Sequence, residues 1–268
     1  FLNYTLVGLG RLDEARAVGA ELAPLAVRVG NYAAQQQHTR MNAMIEFFQD
    51  GSPAALEKFA RKDLAFCEAV GLATPEHSLA WLGLAKFLGG EWEEAKDAYS
   101  TALETEADTG MVGWGWSALF ELLAYMGDSQ AAMGLLEKHR HTIPQLDQAN
   151  TCGSWVAALT AVEGLVVLGE LEQAAKLLPA IEQCIERTGV VCIEFRGGRL
   201  VKRAAAIAAA AAGDWARAEK YFREARRDAE NIPHVVEHAH TLRFHGKMLL
   251  QTGEEASAAR AKSYLQEA

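Results

Sequence analysis

Two sets of basic residues in this chain have the spacing of one helical face. Arg196, Arg199 and Arg203 stand at i, i+3 and i+7, and His240, Arg243 and Lys247 repeat that spacing. On helices, residues so spaced project to one side. A guanidinium presents forked donors that bind a carboxylate or phosphate bidentately. Two such stripes side by side would clamp an anionic ligand or an acidic peptide. The same residues equally make a solvated face paired with Glu163, Glu194 and Glu237, or with the acidic half of another copy. His234 and His238, at i and i+4, match two ligands of one metal, but a structural zinc takes four and no cysteine is near in sequence; no metal is expected. Cys152 and Ser154 lie near His141 in sequence without forming a triad. Nucleophile elbow, HExxH and P-loop motifs are all missing from the sequence, so neither enzymatic activity nor a cofactor is expected.

The elements that must position these residues are marked by a recurring phrase. It reads Gly10-Arg-Leu-Asp-Glu-Ala15, Gly90-Glu-Trp-Glu-Glu-Ala95, Gly169-Glu-Leu-Glu-Gln-Ala174 and Gly213-Asp-Trp-Ala-Arg-Ala218, with weaker copies at Gly51, Gly127 and Gly253. The successive glycines are 41, 39, 37, 42, 44 and 40 residues apart, a period that marks a stacked array of helical hairpins. Each unit reads as helix A, a turn at the glycine, then helix B. Acidic residues after the glycine (Asp13-Glu14, Glu93-Glu94, Asp214) suit the first turn of helix B. Helix B then carries a stripe of small and large apolar residues: Ala95/Tyr99/Ala102, Ala218/Phe222/Ala225 and Ala174/Leu178/Ile181. Helices A are expected over roughly 31–49, 74–88, 111–126, 149–168, 194–212 and 233–251. Val190–Phe195 is β-prone but stands where this register starts a helix. The expected fold is an all-α, right-handed superhelical solenoid spanning 1–268 as one domain, in which each repeat contacts only its neighbours.

These residues resemble the tetratricopeptide repeat. Gly83 and Gly246 fall where that family places its small helix A residue, and Trp116 falls at its early aromatic. The family period is about 34; the longer period here resembles the C-terminal repeat region of bacterial signal-transduction ATPases, both maltose-activator-type regulators and cyclase-linked proteins. The line Ile232-Pro233…Glu237…Ala239…Thr241-Leu…Gly246…Leu249-Leu…Gly253 carries that likeness. The resemblance implies that helices A line a concave groove. The two basic stripes would face it, together with Tyr4, His38, Asn42, His77, Trp81, Trp114, Ser117, Glu121, Tyr125 and Trp155. Trp116 is expected in the core and Trp114 in the groove; Trp92 and Trp215, just after the turns, are expected to pack inside.

The net charge of -9 is uneven: residues 1–134 carry 9 Lys+Arg against 18 Asp+Glu, and residues 135–268 carry 17 against 17. Such a chain is a poor nucleic-acid binder. The cysteines Cys67, Cys152, Cys184 and Cys192 lack paired spacing and read as reduced thiols of a cytoplasmic protein. The sequence has no apolar stretch long enough to span a membrane. A chain that starts at Phe1 and stops mid-repeat reads as a piece of a longer protein. The expected function is a non-enzymatic regulatory module that holds a protein segment or small anionic ligand in its groove. The alternatives are a self-association scaffold, in which the acidic and Arg-rich halves meet head to tail as a homo-oligomer, and a small-molecule sensor pocket between repeats walled by Trp81, Trp114 and Trp155.

Overall fold

The glycine-punctuated stripes fold into helices almost throughout. In the computed structural model the described residues are 2–72, 75–105, 113–148, 150–193, 197–252 and 255–268. They form α1 (Leu2–Gly8), α2 (Leu12–Arg28), α3 (Tyr32–Asp50), α4 (Pro53–Val70), α5 (Pro75–Leu88), α6 (Trp92–Thr105), α7 (Trp114–Met126) and α8 (Ser129–His139). After a short 3-10 turn at Arg140–Thr142 come α9 (Cys152–Leu168), α10 (Leu171–Ala175), α11 (Leu178–Thr188), α12 (Val201–Ala211), α13 (Trp215–Asn231), α14 (Val235–Gln251) and α15 (Glu255–Glu267). The fold is all-α. No helix among the described residues is long and apolar enough to cross a membrane.

Gly10, Gly51, Gly90, Gly127, Gly169 and Gly213 all lie between successive helices with positive φ; Gly253 is outside the described residues. Side-chain caps start several helices: Ser52 accepts from the Ala55 N–H, Asp128 from Ala131, Thr151 from Ser154 and Asp214 from Arg217. The helix B stripes are buried, with Ala95, Tyr99, Ala102, Ala218, Phe222, Ala225, Ala174, Leu178 and Ile181 all in the core. Helix B of the fifth unit is broken into α10 and α11, and Pro179 opens the second piece. Gly83 is the small residue that admits a neighbour: a Cβ there would lie 2.4 Å from the Tyr99 ring. Helices near in sequence pack on one another along the chain, α5 on α6, α7 on α9, α12 on α13, α4 on α5 and α14 on α15 most extensively.

Two expectations need correcting. First, the described residues among 190–200 do not begin a helix. Cys192–Ile193 (β1) pairs antiparallel with Arg199–Leu200 (β2), and α12 begins only at Val201. The β-branched run Val190-Val191 and the Gly197-Gly198 pair, at φ 70° and 77°, outweigh the repeat register. Second, repeats do not contact only their neighbours. The main chain just before β1 is reached from α1, with the Val191 N–H donating to the Gly8 carbonyl at 2.7 Å. α3 packs on α14, and His234 stacks on Phe48 with ring centroids 4.1 Å apart. A Cβ at Gly198 would lie 2.2 Å from the same Phe48 ring. Leu6, Phe47, Phe48 and Trp81 therefore share one core cluster with Leu200, Ala229 and Ile232. The first units close onto the sixth and seventh, and the space between them is filled.

Candidate functional site

The inner face is filled by ion pairs. Glu163 on α9 is 1% exposed and stands at the centre. Its Oε2 accepts from Arg203 Nη1 at 2.5 Å and from Arg199 Nη1 at 3.1 Å. Its Oε1 accepts from the Tyr125 hydroxyl at 2.6 Å and faces Arg243 Nη2 at 3.4 Å. Arg203 also forks onto Glu237, Nε to Oε2 at 2.7 Å and Nη2 to Oε1 at 2.9 Å. Arg199 donates to Glu121 on α7, and Arg243 donates to the Tyr125 hydroxyl. The Leu200 N–H adds a bond to Glu237 Oε2 at 2.9 Å. Three carboxylates (Glu121, Glu163, Glu237) thus balance three guanidiniums (Arg199, Arg203, Arg243).

Burial alone would raise the pKa of Glu163 and of Glu237. For Glu163 the Arg203 and Arg199 charges outweigh burial and hold it well below the usual carboxylate range. Glu237 is likewise lowered against its burial, by Arg203. His240 lies 3.8 Å from Glu163, yet burial pushes it down to about 4, so it is neutral at pH 7. Burial raises the Tyr125 phenol, and the Glu163 charge reinforces the shift.

The arginines expected to meet a partner are therefore engaged inside the molecule. Arg199 sits on a strand, Arg203 in the first turn of α12, and both are buried; Arg196 and Glu194 lie outside the described residues. Of the pairings considered from sequence, those with Glu163 and Glu237 are formed among the described residues. Charge reversal at Arg199 or Arg203 would test the fold rather than a partner.

The other predicted groove residues are dispersed. His77 is half-buried against Trp114, ring centroids 4.5 Å apart, and its Nδ1 accepts from Arg40 Nη1 at 2.8 Å. Arg40 also pairs with Asp63 at 2.7 Å. His77 is pushed down to about 3 by burial and by the Arg40 charge. Asn42 and His38 bond to each other at 3.1 Å on α3. Trp114, expected in the groove, is core, as are Trp81 and Trp116; Trp155 packs half-buried on the same cluster as Trp114. The three-tryptophan wall is therefore not a pocket. His234 turns inward, its Nε2 2.6 Å from the Gly197 carbonyl, away from any shared site with His238.

Tyr125 and Lys247 do come together, at a cavity of about 590 Å3 where the C-terminal ends of α7, α9, α12 and α14 converge. Its walls are Val166, Val167, Leu171, Ile207, Trp215, Phe222, Phe244 and Met248, and its polar groups are Tyr125, Lys247 and Gln251. Trp215 and Leu171 are partly exposed here, so Trp215 is not the interior packing residue its place after the turn suggested. Sequence reading missed Trp215, Phe244, Met248 and Gln251 as a site. The signal was there in part, since Phe244, Lys247, Met248 and Gln251 stand at i, i+3, i+4 and i+7. A scan against protein-family models and a search of curated proteins both find no match to this chain.

Proposed function

We propose that the chain is a non-enzymatic, ligand-binding regulatory repeat module. In this reading it is a right-handed superhelical array of tetratricopeptide-like hairpins with a period near 40 residues. It is of the kind carried by bacterial signalling and transcription-regulatory proteins of the cytoplasm, and it holds its ligand between repeats. The observation that carries the proposal is the cavity beside Lys247. At about 590 Å3 it falls in the usual range for small-molecule sites, which are mostly apolar with a few polar groups. The groove centre is excluded as the seat, because its charges neutralise one another.

The test uses a neutral solvatochromic dye, Nile red. Wild-type protein is expected to bind it saturably, and Val167→Phe, which fills the cavity from a half-buried wall position outside the named core clusters, is expected to weaken binding about tenfold. Absence of saturable binding, or equal binding by a Val167→Phe protein with an unchanged circular dichroism melt, would overturn the reading.

A second reading, self-association, is favoured by two exposed stripes. Glu93, Asp97 and Glu104 line the outer face of α6, and Lys220, Arg223 and Arg227 line that of α13. Their charges are complementary and lie far apart in sequence, so two copies would meet head to tail, the geometry that gives rings or filaments. Sedimentation should show association at low salt that disappears near 1 M, where the Debye length falls to about 3 Å. A monomer at both salts removes this reading.

A further inference from the structure

We infer that the cavity beside Lys247 selects an amphipathic monoanion, an apolar body carrying a single carboxylate, with the carboxylate set against the Lys247 ammonium. The inference rests on the ligand-binding reading above and names its ligand class.

The charge balance of the inner face leads to it. The three arginines are matched by the three buried glutamates, and His240 is neutral at pH 7. Lys247 stands apart from this balance, exposed at the rim of the cavity. Among the described residues no carboxylate lies within salt-bridge range of its Nζ, which instead sits 5.7 Å from the Phe244 ring. Burial, and then the neighbouring Arg243 charge, lower its pKa, with Glu163 opposing. A carboxylate placed there would offset the repulsion from Arg243.

Phe244 is ringed by cations. Arg243 lies 4.7 Å over it and Arg203 6.0 Å, besides Lys247. The ring closes the cavity wall on that side. A cationic ligand is therefore disfavoured. A dianion such as a phosphate ester would need a second free cation, but Arg243 already donates to Tyr125 and faces Glu163. A sugar would need many hydrogen-bonding groups, and the walls offer Tyr125, Lys247 and Gln251. The Tyr125 hydroxyl is already committed, donating to Glu163 and accepting from Arg243. What remains is one anionic head and an apolar body lying against Val166, Leu171, Trp215 and Met248.

The body is either an alkyl chain or a fused aromatic ring, and the probes separate them. Displacement of Nile red by decanoate, by naphthylacetate, by decanol and by decyltrimethylammonium is measured on wild type, Lys247→Met and Lys247→Arg. One of the two carboxylates is expected to displace the dye about tenfold better than decanol, with the cation weakest. Lys247→Met should abolish the preference over decanol without changing dye affinity, and Lys247→Arg should retain it. Equal displacement by carboxylate and alcohol, or a preference that survives Lys247→Met, overturns the ligand class. Those outcomes leave dye binding and its loss in Val167→Phe intact, so they are distinct from failure of the pocket reading itself.

Discussion

Glu163→Gln is expected to destabilise the protein by about 3–5 kcal/mol, the cost of removing one partner from a buried ion pair. At roughly 2–4 °C per kcal/mol for a chain of this size class, the main thermal transition should drop by about 10 °C. The argument follows from where the carboxylate sits. Glu163 is 1% exposed and is the meeting point of Arg199, Arg203, Arg243 and the Tyr125 hydroxyl. Glutamine keeps the shape and one acceptor but removes the charge. Three guanidiniums then face the two carboxylates of Glu121 and Glu237, and an uncompensated buried charge remains. Because Glu163 on α9 meets partners from α7, β2, α12 and α14, the loss strikes the packing of four repeats at once. Adding Arg203→Met to Glu163→Gln removes the surplus charge, so the double variant should lose clearly less than the sum of the singles. Thermal melts of the four proteins measure the cycle. A Glu163→Gln melt within about 1 °C of wild type would show the lattice to be solvated and would sink the argument.

The helices and their turns were legible because each rests on local chemistry. Ala95/Tyr99/Ala102 and Ala218/Phe222/Ala225 announce one buried face apiece, and the recurrent glycines fall between helices. Gly83 stands out in the sequence as a small residue within its helix, and the Tyr99 ring fills the space that a Cβ there would occupy. What sequence could not supply was how small rotations between hairpins add up. The stacking of His234 on Phe48 joins residues 186 positions apart, and nothing near either residue signals it. That closure converts the expected groove into an interior, which is why Arg199 and Arg203 are buried structural cations instead of a binding surface. Around Gly197-Gly198 the sequence does carry a signal: a β-branched run before a Gly-Gly pair is a hairpin pattern, in conflict there with the repeat register. The cavity escaped notice because its walls are helix ends drawn from four units. Helical spacing places Lys247 and Tyr125 on the inward face, whereas the position of Trp215 just after a turn points to packing and hides its place in the cavity wall.

Acidification from pH 7 to pH 5 is expected to destabilise the protein by several kcal/mol, earlier than titration of carboxylates alone would allow. His234 shows why. Its Nδ1 accepts from the Glu237 N–H at 3.4 Å, capping α14, and its Nε2–H then donates to the Gly197 carbonyl at 2.6 Å. The ring lies flat on Phe48. Both nitrogens are used by one neutral tautomer, and a second proton would abolish the cap while placing a charge in the core. Burial accordingly pushes His234 down to about 4, His240 to about 4 and His77 to about 3. In the unfolded chain each titrates near 6.5. Between those values the unfolded state binds more protons, so stability rises with pH there and is lost as pH falls below about 6.5. Each pKa unit is worth about 1.4 kcal/mol, so at pH 5 each histidine contributes a loss on the order of 2 kcal/mol. Glu163 and Glu237, whose folded values are lowered, add their own loss only below the unfolded carboxylate range, near pH 4.5. The histidines therefore own the upper part of the acid limb. His234→Asn keeps a capping acceptor and removes one titrating group, so its melts should start lower at pH 7, through loss of the Phe48 stack, yet fall about a third less steeply toward pH 5. A wild-type melting temperature that is flat from pH 7 to pH 5, or an unchanged slope in His234→Asn, would mean that these rings are protonated or solvated in the folded protein, and the closure between the first and last units would lose its neutral histidine hinge.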